Sequence, residues 1–259
     1  MLIDTHCHLD DERLSEDMQS IILSMPSDGL ESVITVGYDY RSSISAASIA
    51  DKYNNVYATV GIHPHDAKNR RPSDYVDFAK LCDSDKVVAL GEIGLDYFYE
   101  LSDREKQQLV FIEQVELAYS LKMPIIIHLR DAYEDFYKLV LSNKSKLYYG
   151  AVLHCYSGSA EYMKQLSEFD FYYGFDGPIT YKNARHSVSA LMSAPIDRIM
   201  FETDSPYLSP EPFRGKTNYP KNVKLVAEMA SKILNISVDD LTNITTENAK
   251  RLFSKMLIK

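Results

Sequence analysis

The run Pro124-Ile125-Ile126-Ile127-His128 shows the pattern that decides the fold, because a short apolar stretch ends in a polar side chain. Its apolar residues are continuous instead of alternating, which is typical of a parallel strand buried on both faces. The segment before it, 103–120, carries apolar residues at helical spacing, and Ser102 is placed to cap that helix. A helix next to a buried strand is the repeating unit of parallel α/β folds.

The same alternation recurs along the whole chain, which closes with two further helical stretches at 223–234 and 238–256. The apolar, β-rich runs cover residues 2–5, 32–37, 56–61, 87–91, 124–128, 150–154, 169–175 and 198–203. Eight strands that alternate with helices predict an α/β fold, a single-domain (β/α)8 TIM barrel over residues 1–259. A doubly wound open sheet is the alternative architecture.

Composition and charge limit the class of protein. The 259 residues are 45% hydrophobic and 25% charged, as in an ordinary globular enzyme. No apolar run approaches the roughly 20 residues that span a bilayer, and the first residues lack the pattern of a signal peptide. The three cysteines have no framework spacing, which is typical of a reducing compartment. We therefore expect a cytoplasmic enzyme that neither associates with membranes nor requires a protein partner.

Residues with metal-binding side chains stand at the ends of five of the eight runs. They are His6, His8, Glu92, His128, His154 and Asp204. In a barrel these strand ends share the C-terminal rim, where barrel enzymes place their active sites. Residues i and i+2 of a strand point to the same side, so His6 and His8 can hold one ion while Cys7 points away. A lone His-x-His pair is often an ordinary strand end, but its repetition at four further strand ends favours a metal site.

The number of candidate ligands exceeds what one ion needs. A tetrahedral zinc site uses four ligands, whereas six suit two divalent ions bridged by a carboxylate, for which Glu92 is the predicted bridge. Mixed imidazole and carboxylate ligands favour Zn, Mn, Fe or Ni over a pure Mg cage, and the sequence does not choose among these five metals. A non-catalytic metal-binding or scaffold protein is the alternative class. The complete ligand set argues against it, because a structural site needs neither a second ion nor an open position.

At these motifs the chain resembles the TatD family of metal-dependent DNases, a branch of the amidohydrolase-like barrels. The matching stretches, in chain order, are DTHCHL (4–9), GIHPH (61–65), GEIGLDY (91–97), HLRD (128–131), HCYSG (154–158), ETDSPY (202–207) and RGKTN (214–218). The resemblance implies a TIM barrel, divalent metals and phosphodiester hydrolysis, typically as a 3′-exonuclease. It also implies a second possibility, ester or amide hydrolysis on the same metals, because some relatives deacylate D-aminoacyl-tRNA.

Asp204 is predicted to act as both metal ligand and general base, with Glu92 as the second catalytic residue. A carboxylate beside cations is a weak base for free water but an adequate one for water activated by metals. The predicted contacts to the substrate are His63, Arg130, Arg214 and Lys216. His63 is assigned by the resemblance, and Arg214 and Lys216 flank a glycine in one of the matching stretches. The alternative for each is a solvated side chain without a role in binding.

The net charge of −9 limits how much nucleic acid the protein can hold. Proteins that grip long nucleic acids usually carry a basic domain or stripe, so we expect a small positive spot that holds nucleic acid ends locally. Aromatic faces near the predicted rim can stack terminal bases, although ordinary packing is the alternative for each ring. These aromatic residues are Tyr97, Tyr99, Tyr156, Tyr181 and Tyr207.

Overall fold

The computed structural model describes residues 1–257, and their strands form one eight-stranded sheet in chain order. The strands are β1 (Leu2–Cys7), β2 (Leu30–Val36), β3 (Val56–Val60), β4 (Val87–Asp96), β5 (Ile125–Arg130), β6 (Ala151–Leu153), β7 (Tyr172–Phe175) and β8 (Ile199–Phe201). All neighbouring strands are parallel. The prediction of a (β/α)8 barrel is confirmed. The doubly wound alternative is wrong, because that fold needs a reversal of strand order.

Backbone hydrogen bonds close the barrel at the C-terminal ends of β1 and β8. The N–H of Asp204 donates to the carbonyl oxygen of His6 over 2.8 Å, and the N–H of His8 donates to that of Ser205 over 2.7 Å. Three of the residues at this seam are predicted metal ligands, so the closure of the barrel also fixes their backbone.

Buried polar side chains reinforce the seam. The carboxylate of Asp4 accepts hydrogen bonds from the backbone N–H and the hydroxyl of Thr203, over 2.9 and 2.6 Å. The carbonyl oxygen of Thr203 in turn accepts from Nδ2 of Asn218 over 2.8 Å. Thr203 precedes Asp204 directly, so this network holds the backbone from which the Asp204 carboxylate projects.

Helices surround the barrel, and all but α2 and α10, which each follow another helix, come after a strand. They are α1 (Glu12–Ser15), α2 (Met18–Ser24), α3 (Tyr40–Lys52), α4 (Pro72–Leu81), α5 (Arg104–Leu121), α6 (Tyr133–Ser142), α7 (Ala160–Gln165), α8 (Arg185–Ser193), α9 (Val223–Leu234) and α10 (Val238–Leu252). Asp39 and Ser42 form a capping box at α3, which fixes the start of that helix soon after β2. Among residues 1–257, no helix is both long enough and apolar enough to cross a membrane.

The alternation of side chains along each strand explains why the apolar runs are continuous. On β5, Ile126 packs in the barrel interior, whereas Ile125 and Ile127 pack in the layer between strands and helices. Leu252 and Phe253, at the end of α10, join the interior cluster and plug one end of the barrel. His128 lies two residues beyond Ile126, so its ring also points inward, at the other end.

Several predicted boundaries were wrong. The strand predicted at 87–91 continues to Asp96, and the one predicted at 169–175 begins only at Tyr172 because Leu166–Phe169 forms a 3-10 turn. The last α-helix ends at Leu252 and a separate 3-10 helix covers Ser254–Leu257, so the stretch predicted at 238–256 is not one continuous helix. Ser102 does not cap α5, because its hydroxyl donates to the carbonyl oxygen of His65.

Replacement of Asn218 by alanine should destabilise the barrel. The variant leaves the buried carbonyl oxygen of Thr203 without its donor, so the free energy of unfolding should fall by about 1–3 kcal/mol. Asn54 is exposed, so the matched control Asn54→Ala should change the free energy of unfolding by less than about 0.5 kcal/mol. Urea unfolding followed by circular dichroism measures both. Equal midpoints for Asn218→Ala and wild type would contradict a stabilising role for the seam network.

Candidate metal centre

A cavity of about 660 Å³ opens where the strands end, and most of the predicted site residues line it. The predicted residues in its wall are His8, His63, Glu92, Arg130, His128, His154 and Asp204. His6 lies fully buried beneath them. Arg214 and Lys216 are exposed and lie outside the wall, so the structure does not bring these two to the cavity.

Glu92 lies at the centre of the cluster, and its two carboxylate oxygens face different histidines. Oε2 is 3.5 Å from Nε2 of His6. Oε1 is 2.9 Å from Nδ1 of His128, 3.6 Å from Nε2 of His63 and 3.9 Å from Nε2 of His154. A carboxylate with nitrogen donors at each oxygen has the arrangement of a bridge between two ions. Metal-compatible groups therefore form on both sides, His6–His8–Glu92 and His63–Glu92–His128.

The surroundings of His6 indicate whether this set of residues fits a metal ion. Its ring is fully buried, and within residues 1–257 neither ring nitrogen has a hydrogen-bond partner. An unsatisfied buried polar group costs about 1–3 kcal/mol, which a metal ion at Nε2 would offset. Burial and the neighbouring His154 lower the pKa of His6, which keeps its ring neutral and able to act as a ligand. The donor set therefore fits a divalent ion.

Hydrogen bonds at one ring nitrogen leave the other nitrogen of His8 and His154 available. Nδ1 of His8 donates to the carbonyl oxygen of Val36 over 3.1 Å, so Nε2 faces Asp204 Oδ1 at 3.4 Å. Nδ1 of His154 donates to Oε1 of Glu202 over 2.8 Å, and its Nε2 is 3.9 Å from the same Asp204 oxygen. Such outer partners set the tautomer and the orientation of metal-binding histidines.

A second carboxylate orients His128 in the same way. Oδ2 of Asp96 accepts from Nε2 of His128 and from Nε2 of His65, each over 3.0 Å, which directs Nδ1 of His128 towards Glu92. Nδ1 of His63 accepts the backbone N–H of His65 over 3.2 Å, so its Nε2 faces Glu92. With Nδ1 accepting, the neutral ring carries its proton on Nε2, so His63 can donate to a substrate oxygen, as predicted, whereas metal binding at Nε2 would require loss of the hydrogen bond from His65.

Asp204 occupies a backbone conformation that is uncommon outside glycine, with φ of 53°. Its hydrogen bond to His6 across the seam holds that conformation. Burial raises the pKa of the Asp204 carboxyl, but the hydrogen bond with His8 and the charge of His154 outweigh it, so the pKa is lowered overall. Asp204 is therefore an anion at neutral pH, as a ligand or a base must be.

The pKa values of the other central groups move in opposite directions. Burial raises the pKa of Glu92, but contacts with His63, His128 and His6 outweigh it and hold the pKa well below its usual value. Burial lowers the pKa of His154, but Glu202 and the other carboxylates raise it well above its usual value. A metal ion that binds His154 must therefore displace a proton.

Glu202 and Asp96 belong to the site but were not predicted from the sequence. Glu202 is buried against Gly174, where any Cβ would overlap its carboxylate, and it also accepts the N–H of Cys155. Its position two residues before Asp204 was the available signal. Asp96 was not predicted because the fourth strand was predicted to end at residue 91. Once β4 continues to residue 96, alternation relates Asp96 to Glu92 four positions earlier.

Arg130 and His63 are the two predicted substrate contacts that line the cavity. The guanidinium carbon of Arg130 lies 3.9 Å over the ring of Phe98, and the ion pairs formed within residues 1–257 do not involve it. Arg214 instead lies 4.1 Å over the ring of Tyr181, on the loop after β8 that also carries Lys216. Contacts of Arg214 and Lys216 with substrate stay predictions, and they require a substrate that extends beyond the cavity.

A parallel barrel with buried histidines and carboxylates at its C-terminal rim has the architecture of a metal-dependent hydrolase. The sequence model of TatD-related DNases matches residues 3–254, and the chain belongs to this family. It is 40% identical to the metal-dependent hydrolase YabD of Bacillus subtilis, over 98% of this chain and 99% of that protein. It is 34% identical to the metal-dependent hydrolase YcfH of Escherichia coli K12, over 97% and 95%. The structure of YjjV, a TatD homologue of Escherichia coli K12, superposes with a TM-score of 0.90 at 26% identity, over 98% of both chains.

Replacement of Glu202 by glutamine should weaken metal binding without removing a direct ligand. The variant loses the charge that holds Nδ1 of His154, and loss of such a partner typically costs about 10- to 100-fold in metal affinity. Competition with a chromogenic chelator measures the dissociation constants. Glu247 is exposed on α10, and Glu247→Gln, as the matched control, should bind metal as wild type does. Unchanged affinity in Glu202→Gln would show that His154 is not oriented by this carboxylate.

Proposed function

We propose that this protein hydrolyses phosphodiester bonds at the 3′ ends of DNA with two divalent ions. The observation that carries the proposal is the position of Glu92, with His6 at one carboxylate oxygen and His128 and His63 at the other. This carboxylate lies in the wall of a cavity whose volume, about 660 Å³, is within the range of small-molecule sites. When bound, the ions supply Lewis-acid charge that activates water and neutralises charge on the phosphate.

The side chains of the protein divide the remaining work. His6, His8 and Asp204 would hold one ion, His128 and His154 the other, and Glu92 both. Asp204 also takes the proton of the attacking water, because its carboxylate is ionised and reaches the cavity wall. The two roles are compatible, since a carboxylate has two oxygens and those of Asp204 need not face the same partner.

A phosphodiester is favoured as the substrate by the charge around the mouth of the cavity. Arg130 lies in the wall without an ion-pair partner among the described residues, and a guanidinium pairs with phosphate through two parallel hydrogen bonds. The net charge of −9 disfavours a long nucleic acid track, so the protein should hold only the end of a strand. The family of TatD-related DNases supports DNA over other diesters, and the 3′ polarity follows the resemblance in the sequence motifs.

Metal-loaded protein should cleave 3′-labelled single-stranded DNA faster than RNA or D-aminoacyl-tRNA. Prior treatment with a chelator should abolish the activity, and divalent ions should restore it, because the proposed chemistry has no other source of Lewis-acid charge. Release of labelled mononucleotides measures nuclease activity, and release of the amino acid measures deacylation. Deacylation without DNA cleavage would overturn the proposed substrate, and activity that survives removal of metal would overturn the metal requirement.

Asp204→Asn should lower kcat on DNA by about 10²- to 10⁴-fold, the usual contribution of a general base. The variant keeps the shape of the side chain but cannot accept the proton. Metal content, measured by elemental analysis, should change much less than kcat. Asp83 is exposed and lies after α4, away from the rim, so Asp83→Asn serves as the control. A near-normal kcat in Asp204→Asn would show that another group, with His63 as the next candidate, takes the proton.

A further inference from the structure

Exposed tyrosines stand on two sides of the cavity mouth. The rings of Tyr38 and Tyr207 contact the ring of His8 edge-on, with centroids 5.6 and 6.0 Å away. The ring of Tyr99 contacts His65 edge-on at 5.4 Å. All three tyrosines line the cavity, and Tyr207 and Tyr99 are 46% and 53% exposed. Tyr99 and Tyr207 therefore keep accessible surface that a ligand can contact.

The two tyrosine sites lie at opposite oxygens of the central carboxylate. His8, the neighbour of Tyr207, belongs with His6 to the group at Oε2 of Glu92. His65, the neighbour of Tyr99, shares Asp96 with His128, which contacts Oε1. A phosphate that reacts over Glu92 would therefore have one aromatic ring on each side.

An arginine side chain lies over one face of the ring of Tyr207 and another over one face of the ring of Tyr99. The guanidinium of Arg13 lies 4.2 Å over the ring of Tyr207 and is fixed by Asp11 through two hydrogen bonds of 2.9 and 2.8 Å. The guanidinium of Arg130 lies 5.0 Å over the ring of Tyr99. A cation on one face of a ring holds the ring in place, so the opposite face is presented with little loss of side-chain freedom.

The other tyrosines predicted at the rim have structural roles instead. Tyr97 is buried and its hydroxyl donates to Asp135, and Tyr156 is buried with its hydroxyl bound to the carbonyl oxygen of Ser159. Tyr181 donates to the carbonyl oxygen of Ser209 and is covered by Arg214. Tyr99 and Tyr207 therefore differ from these three in exposure and in their place at the cavity.

We propose that Tyr99 and Tyr207 each stack on one of the two nucleobases that flank the scissile phosphate, so that the enzyme selects unpaired ends. The proposal rests on the proposed phosphodiesterase function and names its specificity-determining residues. Stacking on an aromatic side chain is available to every base, so the site should tolerate any sequence. A duplex end has its bases already paired and stacked, and it must fray before the two rings can bind them.

The test removes bases and rings in combination. Single-stranded oligonucleotides carry an abasic residue at the 3′-terminal position, at the penultimate position, or at both. On wild type, each missing base should lower kcat/KM by about 5- to 100-fold, the range for one stacked base. Tyr99→Ala should lose this discrimination at one of the two positions, and Tyr207→Ala should lose it at the other. Tyr99→Phe and Tyr207→Phe keep the rings and should keep the discrimination.

Tyr148→Ala is the matched control, because this tyrosine is 79% exposed and precedes β6 at the opposite end of the barrel. Its discrimination against abasic ends should equal that of wild type. Equal cleavage of base-containing and abasic ends by wild type would overturn the stacking proposal and leave the phosphodiesterase function standing. Discrimination that survives in both alanine variants would also overturn it. Failure of wild type to cleave any of these oligonucleotides would overturn the proposed function, and the stacking proposal with it.

Discussion

Two backbone hydrogen bonds at the ends of the first and last strands position the candidate metal centre. Through them, Asp204 donates to His6, and His8 donates to Ser205. Three predicted metal ligands from opposite ends of the chain, His6, His8 and Asp204, thereby share one rigid backbone. A displacement of about 1 Å can cost a catalytic site roughly 100-fold in rate. The buried network of Asp4, Thr203 and Asn218 stabilises this seam for the same reason.

The histidines around Glu92 are oriented before any ion binds. Val36, Asp96 and Glu202 each accept a hydrogen bond from one ring nitrogen and leave the other nitrogen facing the cluster. These rings are therefore ordered during folding, and metal binding does not carry the entropic cost of ordering them. His6 lacks such a partner among the described residues, and its buried nitrogens are the groups that most need a ligand.

The sequence predicted the architecture because each buried strand ends at the same rim of the barrel. Continuous apolar runs such as Ile125–Ile127 identified the strands, and the ligand-type residues after them converge in the structure on Glu92. Asp96 and Glu202 were not predicted as site residues, because their roles depend on contacts with His128 and His154 that connect different strands. Local periodicity carries no signal for such long-range pairs.

The positions of the loop residues could not be predicted from local sequence either. Arg214 and Lys216 were assigned by a local motif, yet the path of the loop after β8 leaves both outside the cavity wall. The exposure that distinguishes Tyr99 and Tyr207 from Tyr97 and Tyr156 likewise depends on packing between elements. Strand ends are set by the geometry of the barrel, whereas loop positions are set by individual tertiary contacts.

The proposed two-metal site depends on Glu92, whose carboxylate would bind both divalent ions. Anomalous diffraction from crystals grown with manganese or zinc tests it most directly, because the signal locates each ion independently of any activity. We expect two anomalous peaks, one within bonding distance of each Glu92 oxygen, with His6 and His8 at the first and His128 at the second. A single fully occupied peak, or two peaks of which neither contacts Glu92, would contradict it.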